Sequence, residues 1–570
     1  MHYVQAIDRD QVMMTTLDSM VEPNSTARLI DAFVNSLDLA DYGIKEIASE
    51  GRPPYDPKSL FKLYIYGSDN GIKSSRRLAK TCKVNIEVRW MIGCVEPDFR
   101  TISDFRKDNI DSLKKIFHEF NKRISGAVEW GFTSIDGSKF AANNSKNNNF
   151  TKNKLDDRIK WLNGHVDEYL RILDDMDRQE DFSEEPENLT KELIEKKLDE
   201  ARKRLERYEG YQRVMEESGE SQMSLTDADA RLMKSKNGFI VAYNPQTAVD
   251  SNTHMIRDFQ MTNQVTDHGL LGSTLETVRA ESDGVIEAVA DKGYDYEGDM
   301  IKCLEGGIIP HVITEDGKDG YELEIDYVEN EVDVENTDPT ELKKTLHAGI
   351  VPEAYKNVIS DMEVKEVRRK VIDEPPQEAT KSIYGSEEEM RTRAMEGYFV
   401  RDPERNLVYC PNGEILRQKC IKKNGNIRYA NKNACRHCPH RNKCYKGKNE
   451  WKEIDFTKDT LEKPCRDWLA AEGRKPDEEK SLGKRKSHFE KKKIVSFILK
   501  PNREKTAERM CLSEHPFGTI KRTMGFAYFL LKGLRKVEGE FALMCLGYNL
   551  KRAKKLLGFE RMMELMVSGG

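Results

Sequence analysis

The chain has 570 residues, of which 38% are hydrophobic and 34% charged, with a formal net charge of -6. That length predicts several domains, and the charge balance excludes a uniformly basic nucleic-acid coat while leaving local basic patches open. No apolar run approaches membrane-spanning length and no secretory signal is expected in Met1–Asp10. The eleven cysteines, several of them isolated, fit a reducing cytoplasm better than a disulfide scaffold.

Residues 1–125 read as an all-helical N-terminal domain. Ala27–Val34 carries apolar residues three and four apart, and Asp56 or Ser59 can cap the helix after the Pro53-Pro54 break. Short helices follow with Lys73, Arg76, Arg77, Lys80, Lys83, Arg89, Arg100, Arg106 and Lys107. A basic helical module suits DNA backbone or groove contact, and a solvated basic face is the alternative.

Periodicity changes at Trp130–Gly137, which predicts a short buried strand ending at Asp136. Residues 155–218 predict a charged helical hairpin turning at Ser183–Asn188, an insertion in the fold. Strand patterns return at Gly238–Tyr243, Gln246–Asp250 and Met255–Val265. A helix is expected at Gly269–Glu281, then a strand Val285–Asp291 that again ends in a carboxylate. Strands followed by a helix and another strand predict an α/β class, with residues 126–312 and 500–560 forming the core. Residues 313–499 read as an insertion domain with an acidic stretch, a cysteine cluster at 410–444 and the basic run Lys484-Arg485-Lys486. From about Thr506 onward the pattern is helical.

Asp136 and Asp291 sit at strand ends, and Glu514 opens Glu514-His515-Pro516-Phe517-Gly518-Thr519-Ile520-Lys521. Hard cations such as Mg²⁺ take oxygen ligands and keep water sites for phosphate oxygens. Two ions about 3.5–4 Å apart can activate an attacking oxygen and stabilise a leaving one. Lys521 lies two turns beyond Glu514 on nearly the same helical face, where it could neutralise a DNA phosphate. Any single carboxylate in so charged a chain is more often solvated surface. The strand-end position is what raises Asp136 and Asp291 above that reading. Glu540 is the rival third acid, with a salt-bridged helix position as its plain reading.

Cys435-x2-Cys438-x5-Cys444, with Cys410 upstream, can close a tetrahedral Zn²⁺ site of structural type; Cys420, His437 or His440 could replace one ligand. Free cytosolic thiols are the alternative.

Several stretches, in order along nearly the whole chain, are similar to the large DDE transposases of bacterial insertion sequences. They are Gly71–Arg77, Pro97–Arg106, Ile135–Lys139, Leu225–Asp227, Tyr243–Asp250, Ala290–Tyr294, Glu514–Lys521, Gly533–Glu540 and Tyr548–Arg552. Related transposases also carry Tyr and Arg seven and four residues before the third acid. Here those positions are Ala507 and Met510, with Arg509 one residue off. The resemblance implies an RNase H-like catalytic core, a catalytic triad Asp136, Asp291 and Glu514, and two Mg²⁺ or Mn²⁺ ions. It also implies double-stranded DNA substrates, namely terminal inverted repeats and target DNA, cleaved at the element ends and joined by strand transfer. A cysteine-rich segment in the insertion agrees with it. A homodimer pairing two ends, at the bacterial nucleoid in the cytoplasm, is the implied assembly. Lys484, Arg485 and Lys486, just before the third acid, would grip DNA phosphates. Three alternatives stand beside this reading: a domesticated or inactive regulator that binds DNA without cutting, a metal-dependent nuclease without strand transfer, and a zinc-stabilised coiled-coil scaffold.

Overall fold

A computed structural model describes residues 10–44, 55–179, 191–235, 238–313, 320–372, 380–422, 424–447, 451–477, 480–481 and 487–567. The chain divides into two units, Met1–Val364 with Val495–Gly570, and Lys365–Ile494.

The first unit begins with six helices: α1 (Thr26–Ser36), α2 (Pro57–Asp69), α3 (Ser75–Val84), α4 (Ile86–Met91), α5 (Phe99–Asp108) and α6 (Ile110–Ser125). Their starts are set by local chemistry. The Asp56 carboxylate accepts from the Lys58 and Ser59 amides, so Asp56 is the cap of α2; Asp98 does the same for α5 and Ser25 for α1.

A five-stranded sheet follows, made of β1 (Thr133–Gly137), β2 (Gln246–Asp250), β3 (Ile256–Gln260), β4 (Ile286–Ala290) and β5 (Ile308–Val312), in the spatial order β5-β4-β1-β2-β3. β1, β2 and β3 are antiparallel neighbours, while β4 and β5 run parallel to β1. Gly238–Tyr243, expected beside these strands, instead pairs with Arg231–Ser235 and Phe140–Ala141 in a separate small sheet. Helices α9 (Leu271–Ala280) and α10 (Glu297–Glu305) precede β4 and β5.

Between the first and second strands of that small sheet, Phe140–Ala141 and Arg231–Ser235, the chain forms α7 (Lys152–Gln179) and α8 (Lys191–Ser218), packed on each other; the expected turn at Ser183–Asn188 lies outside the described residues. Phe150, Leu155 and Met215 form the small core at the hairpin base.

Two cores pack against the five-stranded sheet, one on β1, β2, β4 and β5 and the other on β2 and β3. One contains Leu271, Leu275, Met300 and Leu304, and it also takes in Leu323, Leu342, Leu346, Tyr355, Val495, Phe497 and Leu499. Part of the segment expected as an insertion, including α11 (Pro339–His347), is therefore packed on the strands. The other core joins α1, α2 and α6 to the C-terminal helix α13 (Leu534–Val567), which breaks at Gly558 (φ 76°). Every residue from Phe541 to Leu550 is buried. A helix apolar on all sides must be covered on all sides. Its Phe541 ring packs edge-on to Phe140 (5.4 Å) and Phe259 (5.1 Å).

One polar side chain interrupts that apolar helix. Asn549, fully buried, accepts from the Ile256 amide (2.9 Å) and donates to the Ile256 carbonyl (2.8 Å) and Asn121 (2.8 Å). Asn121 on α6 also donates to the Ile256 and Arg257 carbonyls. The free edge of β3 is thereby paired by side chains instead of another strand.

The second unit is a seven-stranded antiparallel sheet in the order Glu453–Phe456, Ile427–Ala430, Ile415–Ile421, Leu407–Tyr409, Tyr398–Asp402, Thr460–Pro464, Lys480–Ser481. Phe399, Val408, Leu416, Tyr429, Phe456 and Trp468 fill one face.

Removing the Asn549 amide leaves buried backbone groups unpaired. Asn549→Ala is expected to lower stability by roughly 2–4 kcal/mol, read by chemical denaturation. A loss below about 1 kcal/mol would mean that water re-pairs the β3 edge.

Candidate active site

The register between β1 and β4 pairs Thr133 with Ala288 and Ser134 with Val289. Continuing it by two residues brings Asp136 beside Asp291, about one strand spacing away (~4.8 Å). Both strands end here, so two carboxylates meet where the backbone ladder stops. Asp136 is held by the Gly137 amide (2.9 Å). Asp291 caps the short turn Lys292–Tyr294 by accepting from the Gly293 amide (2.7 Å).

Burial is the first cause that raises the Asp136 carboxyl to about 6, the Asp291 charge is the second, and Asp267 adds to both; Arg509 and the Gly137 amide pull the other way. Tyr294, almost fully buried in the same cluster, is raised by burial and then by Asp267, Asp136 and Asp291. Its hydroxyl donates to Gln246 Oε1.

Arg509 comes from α12 (Arg503–Gly518), which packs across β1, β2, β4 and β5. Its entry is pinned at the sheet: the Asn502 amide donates to His311 Nδ1 (3.1 Å), and His311 Nε2 and Lys505 both meet Glu287. The His311 hydrogen bond, ahead of Lys505, holds Glu287 at about 2 against burial. Thr506, Ser513 and Phe517 are the buried side of α12, and Arg509 lies on that side. Glu514 is one residue beyond Ser513 and is exposed.

Lys521 was expected on the face of Glu514. After Gly518 the helix widens to a π-turn (Thr519–Thr523), which shifts its phase. The Lys521 ammonium meets Ser138 Oγ (2.5 Å) and the Lys139 carbonyl (2.9 Å), directly after Asp136. Glu540, the rival third acid, is 4% exposed and accepts from the Leu530 and Leu531 amides, where it fastens a loop.

The expected DNA-contact residues separate into two groups. Arg76, Arg77 and Arg100 are exposed, and Arg76 and Arg100 flank the Phe99 ring at 5.1 and 5.8 Å. Lys73 and Arg106 are instead turned inward. The Lys73 ammonium is buried 3.9 Å from the Tyr528 ring centroid, and Arg106, 7% exposed, lies over Tyr64. Both are neighbours of the Glu540 charge, which explains their direction: a buried carboxylate needs nearby cations. Lys484, Arg485 and Lys486 lie outside the described residues.

In the second unit Cys410, Cys435, Cys438 and Cys444 line one cavity with Phe399, Leu416 and Trp468. Cys465, which spacing did not single out, is buried with its Sγ 3.7 Å from Cys444 Sγ. Burial pushes the Cys410 thiol up to about 11, and Cys435 and Cys438 act in the same direction. Among the described residues no three His, Cys, Asp or Glu side chains are already drawn together as a metal site.

Two family models match the chain: "Transposase domain (DUF772)" over residues 15–108, and "Transposase DDE domain" over residues 409–554. The chain belongs to the insertion-sequence DDE transposases. The DDE match spans the cysteine cluster, Glu514 and most of α13, and Asp136 and Asp291 lie before it. No curated protein and no solved structure matches. No described helix of this transposase is long and apolar enough to cross a membrane.

Sequence reasoning missed Asp267 and Arg509 at this site. Arg509 had a signal, since it stands one residue from the position that related transposases give to Arg. Asp267 had none, since it lies in a loop.

A carboxyl raised by burial binds its proton more tightly in the folded protein than in the unfolded chain. The sign is therefore a stability that falls as pH rises from about 4 to above 6. In chelator, Asp136→Asn is expected to be more stable than the parent at pH 8, by about 3 kcal/mol at most. The gain should vanish near pH 4, as read from melting curves. Equal stability at pH 8 would mean that Asp136 carries no such penalty.

Proposed function

We propose that this transposase binds the terminal inverted repeats of its element, cuts DNA at the ends and joins the 3′ end to target DNA. The observation that carries this reading is the meeting of Asp136 and Asp291 at the ends of adjacent parallel strands, in a chain of the DDE transposase family. The order β5-β4-β1-β2-β3, with β1, β2 and β3 antiparallel neighbours and β4 and β5 parallel to β1, supports an RNase H-like core.

A carboxyl raised first by burial and then by the neighbouring Asp291 charge fits a divalent cation, because added positive charge stabilises both carboxylates. Asp136, Asp291 and Glu514 are the residues we assign to two Mg²⁺ or Mn²⁺ ions. When bound, these ions supply positive charge to the scissile phosphate and to the oxygens that enter and leave. Arg509 balances part of the carboxylate charge, and Lys521 orders the Ser138–Lys139 turn that follows Asp136. Glu540 does not suit the third position, because both its oxygens are engaged by the Leu530 and Leu531 amides. Arg76, Arg77 and Arg100 are suited to phosphate contact by exposure and charge, with Phe99 between two of them as an apolar surface for sugar or base. A homodimer would bring two element ends together.

In the second unit we propose a structural Zn²⁺ held by Cys410, Cys435, Cys438 and Cys444. Four thiols around one small cavity are a soft donor set that suits zinc. Cys465, so close to Cys444, is the available substitute.

Asp136→Ala and Asp291→Ala are each expected to abolish Mg²⁺-dependent cleavage of end DNA, with DNA binding retained in gel-shift assays. Glu514→Ala should do the same. Cleavage surviving in Glu514→Ala but lost in Glu540→Ala would move the third acid. A joining assay with a plasmid target separates a transposase from a plain nuclease. For the cysteines, the purified protein should carry about one zinc per chain by elemental analysis, and Cys438→Ser should lose it. Zinc-free wild-type protein with an unchanged melting curve would exclude the structural role.

A further inference from the structure

Asp267 lies in the loop between β3 and α9, remote in sequence from both strand-end aspartates. Its Oδ1 is fully engaged. It accepts from Asn244 Nδ2 at 2.7 Å, from Gln246 Nε2 at 2.9 Å and from Lys139 Nζ at 3.4 Å. These donors are themselves fixed. Asn244 and Gln246 are fully buried, and Gln246 is held from its other end by the Tyr294 hydroxyl. A clamp of two buried amides leaves the carboxylate little freedom.

The clamp opens onto the strand-end pair. A Cβ on Gly137, directly after Asp136, would stand 2.9 Å from Asp267 Oδ1. A Cβ on Gly293 would stand 2.8 Å from Asp291 Oδ1 and 3.9 Å from Asp267 Oδ2. Both glycines therefore let Asp267 approach the pair more closely than any side-chain-bearing residue would. Asn244 Oδ1, buried against the same Gly137, has no donor among the described residues. A buried oxygen without a donor, on the amide that clamps Asp267 and next to the residue that follows Asp136, marks a place where a water or cation would complete the bonding.

We infer that Asp267 is a further carboxylate of the metal centre, its Oδ1 fixed by Asn244 and Gln246 and its Oδ2 turned to a divalent cation or to a water of that cation's shell. The inference rests on the metal-centre reading above and adds to it a residue outside the expected triad. Held this way, Asp267 sets the charge and hydration on the side of the centre that faces the loop.

The test is Mn²⁺ binding to the full-length protein without DNA, by calorimetry, for the parent, Asp267→Asn, Asp267→Glu and Asp136→Ala. Asp267→Asn keeps the shape and removes the charge. It is expected to weaken Mn²⁺ by at least about tenfold, with an unchanged melting temperature and unchanged end-DNA binding. The Mg²⁺ concentration for half-maximal cleavage should rise in parallel, and Asp267→Glu should recover part of the affinity. If Asp136→Ala loses Mn²⁺ binding and Asp267→Asn keeps the parental affinity, the assignment of Asp267 is overturned and the metal centre stands. If Asp136→Ala also keeps that affinity, the metal-centre reading falls, and the Asp267 inference with it.

Discussion

The structure of the first unit depends on covering one helix. From Phe541 to Leu550 α13 has no side that water can solvate, so its burial must be shared among several partners. Helices α1, α2 and α6 cover it from the N-terminal region, Phe259 reaches it from the five-stranded sheet and Phe140 from the small sheet. The helical N-terminal region and the strands consequently share a single apolar core and are not joined by a linker alone. Asn549 sets the register of that packing, since a buried amide with three partners tolerates little sliding.

Charge is arranged around this core by the same demand for compensation. Glu540, buried in α13, draws Arg106 and Lys73 inward. At the ends of β1 and β4 the compensation is incomplete. Asp136, Asp291 and Asp267 face Arg509 and Lys139, and Asp136 remains raised to about 6. Burial comes first among the causes, and the neighbouring Asp291 and Asp267 charges add to it. The His311–Glu287–Lys505 group, at the entry to α12, is the contrasting case: its carboxylate is fully compensated and serves to anchor the helix.

Local signals in the chain were legible wherever the physics is local. An apolar run that stops at a carboxylate and a glycine predicted both strand ends, and the observed β1 and β4 close at Gly137 and Ala290. Asp56 was legible as a cap because capping involves only the next few amides. The grouping of Cys410 with Cys435, Cys438 and Cys444 followed from spacing, and the four do line one cavity. Other features were not legible. Gly238–Tyr243 has strand character, yet strand character does not name a partner, and it joined a separate sheet. The direction of Lys73 and Arg106 was hidden because a basic residue on a helix reads the same whether it meets a phosphate or a buried Glu540.

Taken alone, the sequence determined the membership in the DDE transposases, the α/β class, the strand-end positions of Asp136 and Asp291, and the cysteine group. Each of these rests on neighbouring residues or on motifs in order along the chain. Only the tertiary structure decided which charges surround Asp136. Asp267 and Arg509 reach it from a loop and a helix far along the chain, and the closeness of Asp267 to both aspartates depends on Gly137 and Gly293 having no side chain. Periodicity records which face of an element is apolar; it carries no information about which distant loop will be packed against that element's end.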